Sequence, residues 1–309
     1  MKILFTGASS FTGFWFVKTL AATGHEIFCP LTKNPADYTE TRGQRVKKLK
    51  SVCLLIPSAS FGSEKFLNVI RENTFDLLCH HAADVTNYKI PDFDAQAALK
   101  KNTHNLPAVL EAMKPHGLKA VVLTGTVFEN DEGAGTEPLI AASPYGLSKA
   151  LTFQNFREVC AATDLRLGKF VIPNPFGPFE EARFTAYLMR CWQAGKIAEV
   201  KTPDYIRDNI HVDLLAAAYK VFAERVAASE KSFLKMNPSG YIESQGEFAR
   251  RVAREVKARM GWPCELKLSR QEDFGEPLKR VNSEPAISVA PGWNEQKAWD
   301  GFVKFYRGN

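Results

Sequence analysis

Short apolar segments alternate with longer amphipathic ones along the first half of the chain. The segments with the length and composition of buried strands are residues 2–5, 25–31, 76–83 and 120–123. Between them lie patterns typical of helices: one spans residues 14–23 and ends at Gly24, and a longer one over 95–114 is interrupted near Pro107. This order of strands and helices predicts an α/β fold, a doubly wound parallel sheet with helices on both faces.

The last third of the chain has a different pattern. A helix is predicted over residues 245–259, and loops with Pro263, Pro277 and Pro285 follow it. We expect this part to form a smaller mixed cap that binds the substrate. The predicted dinucleotide-binding domain comprises residues 1–170 with 206–235, and the predicted cap comprises 171–205 with 236–309.

Composition and charge exclude several classes of protein. The chain has 309 residues, 45% of them hydrophobic and 24% charged, the balance of a globular protein with a sizeable core. Its net charge of +6 permits anionic ligands, but the main basic run, residues 42–50, lies in no recognised nucleic-acid module. No apolar run approaches the roughly 18 residues that span a bilayer. Because residues 1–5 break at once into Thr6-Gly7, we also expect no signal peptide.

The cysteines are scattered and form no Cys-x-x-Cys pair. Several lie in apolar segments, which favours reduced core residues of a cytoplasmic protein over a disulfide framework. The six are Cys29, Cys53, Cys79, Cys160, Cys191 and Cys264.

A tyrosine and a lysine four residues apart mark the candidate catalytic site. Within the sequence Ser-Pro-Tyr-Gly-Leu-Ser-Lys of residues 143–149, Tyr145 and Lys149 lie on one face of a predicted helix. A phenol ordinarily titrates near pH ~10, and a nearby ammonium favours its ionised form. We therefore expect Lys149 to lower the pKa of Tyr145, which makes this phenol a candidate general acid or base.

The first predicted strand leads into a glycine-containing loop. Gly7 permits a tight turn and Gly13 permits close packing, while Ser10 stands where dinucleotide-binding loops of the Rossmann type have their middle glycine. Main-chain N–H groups at the start of the following helix would face a pyrophosphate. The candidate cofactor-binding residues of this loop are Gly7, Ser9, Ser10, Phe11, Thr12 and Gly13.

Small or hydroxyl-bearing side chains end two other predicted strands. His81, Ala82 and Ala83 close one of them, where small residues let a cofactor approach the sheet. We interpret His80 and His81 as ordinary hydrogen-bonded residues, because no third metal ligand lies at suitable spacing. Thr124 ends another strand, where its hydroxyl would point toward the crevice in which ligands of such sheets bind.

These motifs occur in the order found in the extended short-chain dehydrogenase/reductase family, which the chain resembles over nearly its whole length. Asn-Pro-Phe-Gly-Pro at 174–178 resembles the family's Asn-Val-Tyr-Gly-Pro turn, and Arg-Asp-Asn-Ile-His-Val-Asp at 207–213 resembles its Arg-Asp-Phe-Ile-His-Val-Asp strand. Asn-Pro-Ser-Gly at 237–240 resembles its Asn-x-Gly-x-Gly segment. The best-known members act on nucleotide sugars, as UDP-galactose epimerases and NDP-sugar dehydratases and reductases do.

Three positions depart from the family pattern. Ser10 replaces the second glycine of the loop. Val171 stands where an arginine usually precedes the Asn-x-x-Gly-Pro turn, and Pro57 lies where an acidic residue usually contacts the adenine. None of these departures affects the proton-transfer group.

The resemblance implies roles for the residues at the strand and helix ends. Tyr145 would donate a proton to the developing alkoxide during keto-reduction, with Lys149 tuning it and Thr124 hydrogen-bonded to the same oxygen. The cofactor would be held by the glycine loop, by residues 81–83, by the Tyr145–Lys149 pair and by Asn102.

The resemblance also implies binding partners. A nucleotide-sugar diphosphate would be bound by arginines, since a guanidinium makes two charge-assisted hydrogen bonds at once. The residues implied in substrate binding are Thr126, Asn174, Arg207 and Arg280. An exposed charge beside a helix is the alternative for Arg280. A second copy of the chain would pair through the helices near 95–113 and 145–161, giving a homodimer.

Two classes of function stay open. The first is an enzyme that reduces a 4-keto group of a nucleotide-linked sugar, with an NDP-sugar 4-epimerase carrying bound NAD as its alternative. The second is a non-catalytic NADP-sensing regulatory protein, although such proteins generally lose the tyrosine or the lysine. A reductase of apolar ketones would not need Arg207. Gly125 and Thr126 follow Thr124, where NDP-sugar 4,6-dehydratases have Asp-Glu, so we expect no dehydratase activity.

The end of the second predicted strand bears on the cofactor. NAD-binding members of this fold place a carboxylate there, but this position falls on Leu31, and Thr32 and Lys33 follow. A hydroxyl and a cation suit a 2′-phosphate, with Arg42 or Arg45 as additional ligands, so the sequence favours NADP over NAD. In the alternative, Lys33 is a solvated loop charge and main-chain groups bind NAD.

Overall fold

Strands and helices alternate through most of the structure, a computed structural model that describes residues 1–88, 90–136, 138–271 and 274–308. Its strands are β1 (Lys2–Thr6), β2 (Glu26–Pro30), β3 (Leu54–Ile56), β4 (Leu77–His80), β5 (Ala120–Thr126), β6 (Arg166–Ile172), β7 (Asn174–Phe176), β8 (Ala198–Val200), β9 (Ile206–His211), β10 (Phe233–Met236), β11 (Pro238–Ser239), β12 (Tyr241–Ser244), β13 (Leu266–Leu268), β14 (Lys279–Arg280) and β15 (Glu284–Pro285). Its helices are α1 (Phe11–Ala22), α2 (Glu40–Leu49), α3 (Glu64–Arg71), α4 (Ala95–Asn102), α5 (Leu106–Met113), α6 (Pro144–Ala162), α7 (Phe184–Gln193), α8 (Val212–Ala228), α9 (Gln245–Met260) and α10 (Glu295–Arg307).

Seven of the described strands form one parallel sheet in the order β10-β6-β5-β4-β1-β2-β3. The strand order changes direction between β1 and β4. In doubly wound sheets of this kind, ligands bind at the carboxyl ends of the strands on either side of such a point. The predicted α/β fold is confirmed.

Both faces of this sheet are buried because successive side chains on a strand point to opposite faces. On β5, Val122 packs into the core beneath α1 and α8, whereas Val121 packs into the core beneath α3, α5 and α6. Phe16 of α1 and Tyr219 of α8 stack with ring centroids 4.0 Å apart. Burial on two sides explains why these strands read as continuous apolar runs.

A second, smaller sheet forms around β9, which pairs with β7, β12 and β14. A third core lies beneath α7, α9 and α10 and contains the rings of Phe176, Trp192, Phe248 and Trp299. The smaller C-terminal region of the predicted fold is therefore confirmed. The domain boundaries stay predictions, since β9 belongs to this second sheet and β10 to the first.

Two helix boundaries differ from the sequence prediction for local reasons. Helix α1 begins at Phe11, not at residue 14, because the side chain of Ser10 caps its first turn. The break in the 95–114 pattern falls at Asn105, which has a left-handed φ of +53°. Pro107 lies in the first turn of α5, where a missing N–H has no consequence. The dimer through α4, α5 and α6 stays a prediction.

All six cysteines are free thiols. Within the ranges described above, no helix has the length and apolar composition needed to cross a bilayer.

Candidate active site

The loop between β1 and α1 is packed tightly against the end of β4. Gly7 has a φ of +79°, and a Cβ there would lie 2.7 Å from the main-chain nitrogen of Ala82. A Cβ on Gly13, in the first turn of α1, would overlap the carbonyl oxygen of Gly7. Only glycine satisfies both positions. The backbone cradle and the N-terminus of α1 therefore fit the pyrophosphate of a dinucleotide.

Ser10, at the middle-glycine position, is the cap of α1. Its hydroxyl accepts a hydrogen bond from the N–H of Gly13 at 3.1 Å and donates to the carbonyl of Gly7 at 2.9 Å. The same oxygen lies 3.0 Å from Nε2 of His81. The departure from the family pattern thus adds a bond between the loop and the end of β4.

His81 connects this loop with β5. Its Nε2 lies 3.0 Å from the hydroxyls of both Ser10 and Thr12, and its Nδ1 lies 3.0 Å from Oγ1 of Thr124. Burial, followed by the charge of Lys149, lowers the pKa of His81 to about 3, so the ring is neutral at ordinary pH. The interpretation of His81 as a hydrogen-bonded residue is confirmed.

His80 packs into the opposite face of the sheet. Its Nδ1 lies 3.1 Å from Oγ1 of Thr6, and its ring contacts Phe61 and Phe156 at centroid distances of 4.3 and 4.9 Å. Burial is the largest cause of the lowering of its pKa to about 3. The described residues contain no group of three or more His, Cys, Asp or Glu side chains placed to hold a metal.

Replacing His80 with glutamine should flatten the acid dependence of stability. The unfolded chain takes up a proton on His80 below pH ~6.5, whereas the folded chain takes it up only near pH 3. As the pH falls through this window, the free energy of unfolding of the parent should therefore decrease by about 1.4 kcal/mol per pH unit more than that of the variant. Urea unfolding at pH 7.5 and 5.5 measures the difference, with His104→Gln, an exposed histidine, as the control. Equal slopes in parent and His80→Gln would contradict the prediction.

The segment after β4 is tied to α6 by Asn102. The side-chain oxygen of Asn102 accepts a hydrogen bond from the N–H of Asp84 at 2.8 Å, and its nitrogen donates to Oγ1 of Thr152 at 3.2 Å. The N–H of Ala82 donates to Oγ1 of Thr6. These bonds fix residues 81–84 at the sheet edge, while direct contacts of Ala82, Ala83 and Asn102 with a cofactor stay predictions.

Helix α6 places the tyrosine and the lysine one turn apart. The hydroxyl of Ser143 caps the helix by accepting from the N–H of Gly146 at 3.2 Å. Lys149 is buried, and its Nζ donates to the main-chain carbonyl of Thr124 at 2.6 Å. The predicted spacing is therefore confirmed, but the ammonium contacts β5 and not the phenol of Tyr145.

The predicted lowering of the pKa of Tyr145 is wrong for this structure. The phenol ring packs against Tyr88 and Phe93 at centroid distances of 5.1 and 6.1 Å. Burial, followed by the charge of Glu129, raises the pKa of Tyr145 well above its ordinary value. Burial also lowers the pKa of Lys149 to about 8. Tyr145 is consequently protonated at neutral pH.

Two threonines, Thr124 and Thr126, lie at the carboxyl end of β5. Thr124 uses its carbonyl for Lys149 and its hydroxyl for His81. Thr126 donates its N–H to Oε1 of Glu129 at 2.7 Å and is nearly buried. A hydrogen bond from Thr124 to a substrate oxygen, and a substrate contact by Thr126, stay predictions. For Thr124, such a bond would have to be made by a hydroxyl that His81 already contacts.

The arginines implied in diphosphate binding occupy different environments. Arg207 donates to Oε2 of Glu276 at 2.8 Å and to the carbonyl of Pro277 at 3.0 Å. Arg280 is buried, and its guanidinium donates to the carbonyls of Val127 and Ile140 at 2.9 and 3.1 Å. The alternative of an exposed charge for Arg280 is therefore wrong, because the side chain is buried and binds these main-chain carbonyls.

Asn174 lies at the start of β7, in the sheet that also contains Arg207. Its amide nitrogen is 3.4 Å from the carbonyl of Asp208. Asn174, Arg207 and Arg280 all lie in the second sheet, where Arg280 pairs with Arg207 in register, but the guanidinium of Arg280 is committed to main-chain carbonyls of another segment. Diphosphate binding by these three residues stays a prediction.

The segment after β2 presents hydroxyl and cationic groups beside the glycine loop. Oγ1 of Thr32 lies 3.2 Å from the hydroxyl of Tyr38, which also accepts from the N–H of Lys33 at 3.3 Å. The guanidinium of Arg42 lies over the ring of Tyr38 and donates to Oγ of Ser9 at 2.9 Å. No described carboxylate forms an ion pair with Lys33 or Arg42.

The structure distinguishes the two arginines proposed as additional phosphate ligands. Arg42 is exposed at the loop. Arg45 is fully buried beneath it, where it donates to the carbonyls of Ser9 and Phe179 and pairs with Glu181. Arg45 is therefore a support for the loop and not an available ligand.

The model of the NAD dependent epimerase/dehydratase family matches residues 3–234. The chain belongs to this family. A search of curated proteins finds no match.

Solved structures similar to this family member share its fold along the whole chain. UDP-glucose 4-epimerase from Thermotoga maritima, solved with UDP-glucose, has 18% identity and a TM-score of 0.75, covering 100% of this chain and 99% of its own. UDP-glucose-4-epimerase from Stenotrophomonas maltophila, solved with NAD and formylated UDP-arabinopyranose, has 17% identity and a TM-score of 0.77, with 100% and 98% covered. dTDP-glucose 4,6-dehydratase from Streptomyces venezuelae, solved with NAD, has 16% identity and a TM-score of 0.74, with 100% and 98% covered.

Sequence reasoning missed three groups in this epimerase/dehydratase family member. Tyr38 lies outside every motif, and only the fold brings its hydroxyl to Thr32. The same is true of Glu129 and Lys169, whose side chains form a buried ion pair beside β5. A charged residue within the apolar segment of β6 is the one signal that could have identified Lys169.

Proposed function

We propose that this protein is an NADP-dependent reductase of a 4-keto group in a nucleotide-linked sugar, with Tyr145 as the proton donor. The observation that carries the proposal lies after β2: the hydroxyl of Thr32 and the guanidinium of Arg42 both contact Tyr38, Arg42 binds Ser9 of the glycine loop, and the exposed Lys33 follows Thr32 in the chain. Two cations and a hydroxyl suit a 2′-phosphate, whereas an NAD enzyme of this fold would have a carboxylate at the same strand end. Leu31, at that position, is buried and apolar.

The choice between NADP and NAD bears on the type of reaction, reduction or epimerisation. A reductase fed by NADPH consumes it as a stoichiometric reductant, whereas a 4-epimerase keeps its NAD bound and returns it unchanged. A preference for NADP therefore supports 4-keto reduction over epimerisation. The nicotinamide group, when bound, supplies the hydride.

The chain itself supplies and controls the proton. Tyr145 holds its proton at neutral pH and can donate it from Oη to an alkoxide, which is a stronger base than the phenolate left behind. Lys149 lies one helical turn away and contributes a buried positive charge, which stabilises the phenolate left behind. The carbonyl of Thr124 holds that ammonium in position.

The nucleotide-sugar class rests on family membership and on the chemistry around Arg207. The named relatives include epimerases solved with UDP-sugars. In this chain Arg207 already binds an anionic oxygen, the carboxylate of Glu276, whose side chain is 53% exposed. A diphosphate presents the same kind of oxygen to a guanidinium and would take the place of that carboxylate.

Turnover of a panel of sugars tests this proposal. NADPH oxidation should be seen with a 4-keto NDP-sugar and not with its 4-hydroxy counterpart, followed by absorbance at 340 nm. No 4-keto-6-deoxy product should form from a plain NDP-hexose, because Gly125 and Thr126 carry no carboxyl group. Epimerisation with copurified NAD would replace the proposal by the 4-epimerase. Tight NADPH binding without turnover of any sugar would favour the regulatory protein.

A further inference from the structure

Three charged side chains are buried together beside the end of β5. Nζ of Lys169, on β6, lies 2.6 Å from Oε2 of Glu129 and 2.8 Å from Oε1 of Glu132, and all three side chains are at most 5% exposed. At the outer end, Lys235 of β10 binds Oε2 of Glu132 at 3.1 Å and is 37% exposed. Charged groups are rarely buried so completely unless they are paired.

The absence of a side chain at Gly125 makes room for this pair. A Cβ at Gly125 would lie 2.8 Å from Oε1 of Glu129 and 2.9 Å from Cε of Lys169. Oε1 of Glu129 also accepts the N–H of Thr126 at 2.7 Å. Nζ of Lys169 lies 3.9 Å from the ring centroid of Phe153, a further favourable contact for the ammonium. The backbone of β5 therefore leaves space for the Glu129–Lys169 pair at Gly125 and binds its carboxylate through Thr126.

The segment around Gly125 also binds Lys149. Lys149 donates to the carbonyl of Thr124, the residue before Gly125, while Glu129 accepts from the residue after it. One carboxylate and two ammonium groups therefore converge on Gly125. From β4, the rings of His80 and His81 also face Lys149, but both are neutral at ordinary pH. Tyr145, one turn away on the same helix, is protonated at neutral pH.

We propose that Glu129, held by Lys169, is a positioning residue that keeps Lys149 protonated and bound to the carbonyl of Thr124. The proposal rests on the proposed function for the role of Lys149 in proton transfer. The ammonium groups of Lys149 and Lys169 are both buried beside the segment around Gly125 and repel each other, and the carboxylate of Glu129 offsets that repulsion. Without the Glu129 carboxylate, loss of the proton from Lys149 would remove this repulsion.

The same charges act on the pKa of Lys149. Burial lowers the pKa of Lys149 to about 8, the charge of Glu129 raises it, and the charge of Lys169 lowers it. Lys149 consequently loses its proton as the pH rises through about 8. Removal of the carboxylate should move that loss to lower pH, and removal of the second ammonium should move it to higher pH.

NMR titration of protein labelled with 13Cε-lysine, free of cofactor and substrate, tests the proposal. The resonance of Lys149 is identified by its absence in Lys149→Met. Glu129→Gln should lower the midpoint of this titration by about 1–3 pH units, and Lys169→Met should raise it by about 1 unit. Lys235→Met, at the exposed end of the cluster, should leave it within about 0.3 unit of the parent. Midpoints that stay fixed, or that move in the same direction in both single variants, would overturn the proposal.

Each single variant leaves a buried charge without its partner, so the double variant Glu129→Gln/Lys169→Met controls for misfolding. It should return the thermal midpoint and the Lys149 titration toward the parent values. The alkaline limb of the kcat/KM profile should follow the NMR midpoints. If the NMR midpoints shift as expected while that limb stays fixed, the positioning role stands and the catalytic role of Lys149 in the proposed function is wrong.

Discussion

Replacement of Tyr145 by phenylalanine should lower kcat for keto-reduction by about 10²–10⁴-fold. The change removes the phenolic oxygen and leaves the ring, so the contacts with Tyr88 and Phe93 are kept. Cofactor affinity should therefore change little, because the glycine loop and the residues after β2 are untouched. Single-turnover NADPH oxidation measures the chemical step, and quenching of protein fluorescence by NADPH measures binding.

A tyrosine of α7 provides the matched control for this variant. The hydroxyl of Tyr187 bonds to the main chain of Glu199, on β8, at 3.0 and 3.1 Å. Tyr187→Phe should lose that contact and keep the parent kcat. The assignment of Tyr145 as proton donor would be refuted by a phenylalanine variant that turns over at the parent rate.

Replacement of Arg42 by glutamine should lower kcat/KM with NADPH by about 10–100-fold and leave kcat/KM with NADH nearly unchanged. A charge-assisted hydrogen bond to phosphate contributes about 1.5–3 kcal/mol, and only NADPH carries the 2′-phosphate. Arg42 is exposed beside Ser9 and lies over Tyr38, so its removal leaves no cavity. Steady-state kinetics with both cofactors measure the ratio.

Two further variants sharpen the cofactor test. Lys33→Asp supplies the carboxylate that NAD enzymes of this fold use for the ribose hydroxyls, so it should shift preference toward NADH. Lys47→Gln removes an exposed cation from the same helix as Arg42 and should keep the parent ratio. NADH outperforming NADPH in the parent, or NAD copurifying at full occupancy, would establish the 4-epimerase in place of the reductase.

Spacing along the chain was sufficient to locate the candidate catalytic helix. Tyr145 and Lys149 lie on one face wherever an α-helix forms, and the helix forms because Ser143 and Pro144 start it. Gly7 and Gly13 were equally predictable, since a glycine loop after an N-terminal strand has few other uses. Such features depend on residues close together in the sequence, and they transfer directly to the structure.

The electrostatic state of the same site was not predictable in this way. The expected lowering of the Tyr145 pKa is wrong because desolvation and the charge of Glu129 raise it, while the ammonium of Lys149 bonds to the carbonyl of Thr124. Arg42 and Arg45 are the same residue type three positions apart, yet packing of α2 against the loop buries Arg45 and exposes Arg42. No local pattern separates these cases.

The sequence by itself determined the parallel α/β fold, the glycine loop and the tyrosine–lysine helix, because strand order, turns and helical spacing follow from short stretches of chain. Only the tertiary structure decided which charges meet. It placed Glu129 and Lys169 on either side of the space at Gly125, and it paired Arg207 with Glu276. Desolvation and Coulomb energies depend on distances between elements that are remote in the chain, and those distances exist only once the cores have packed.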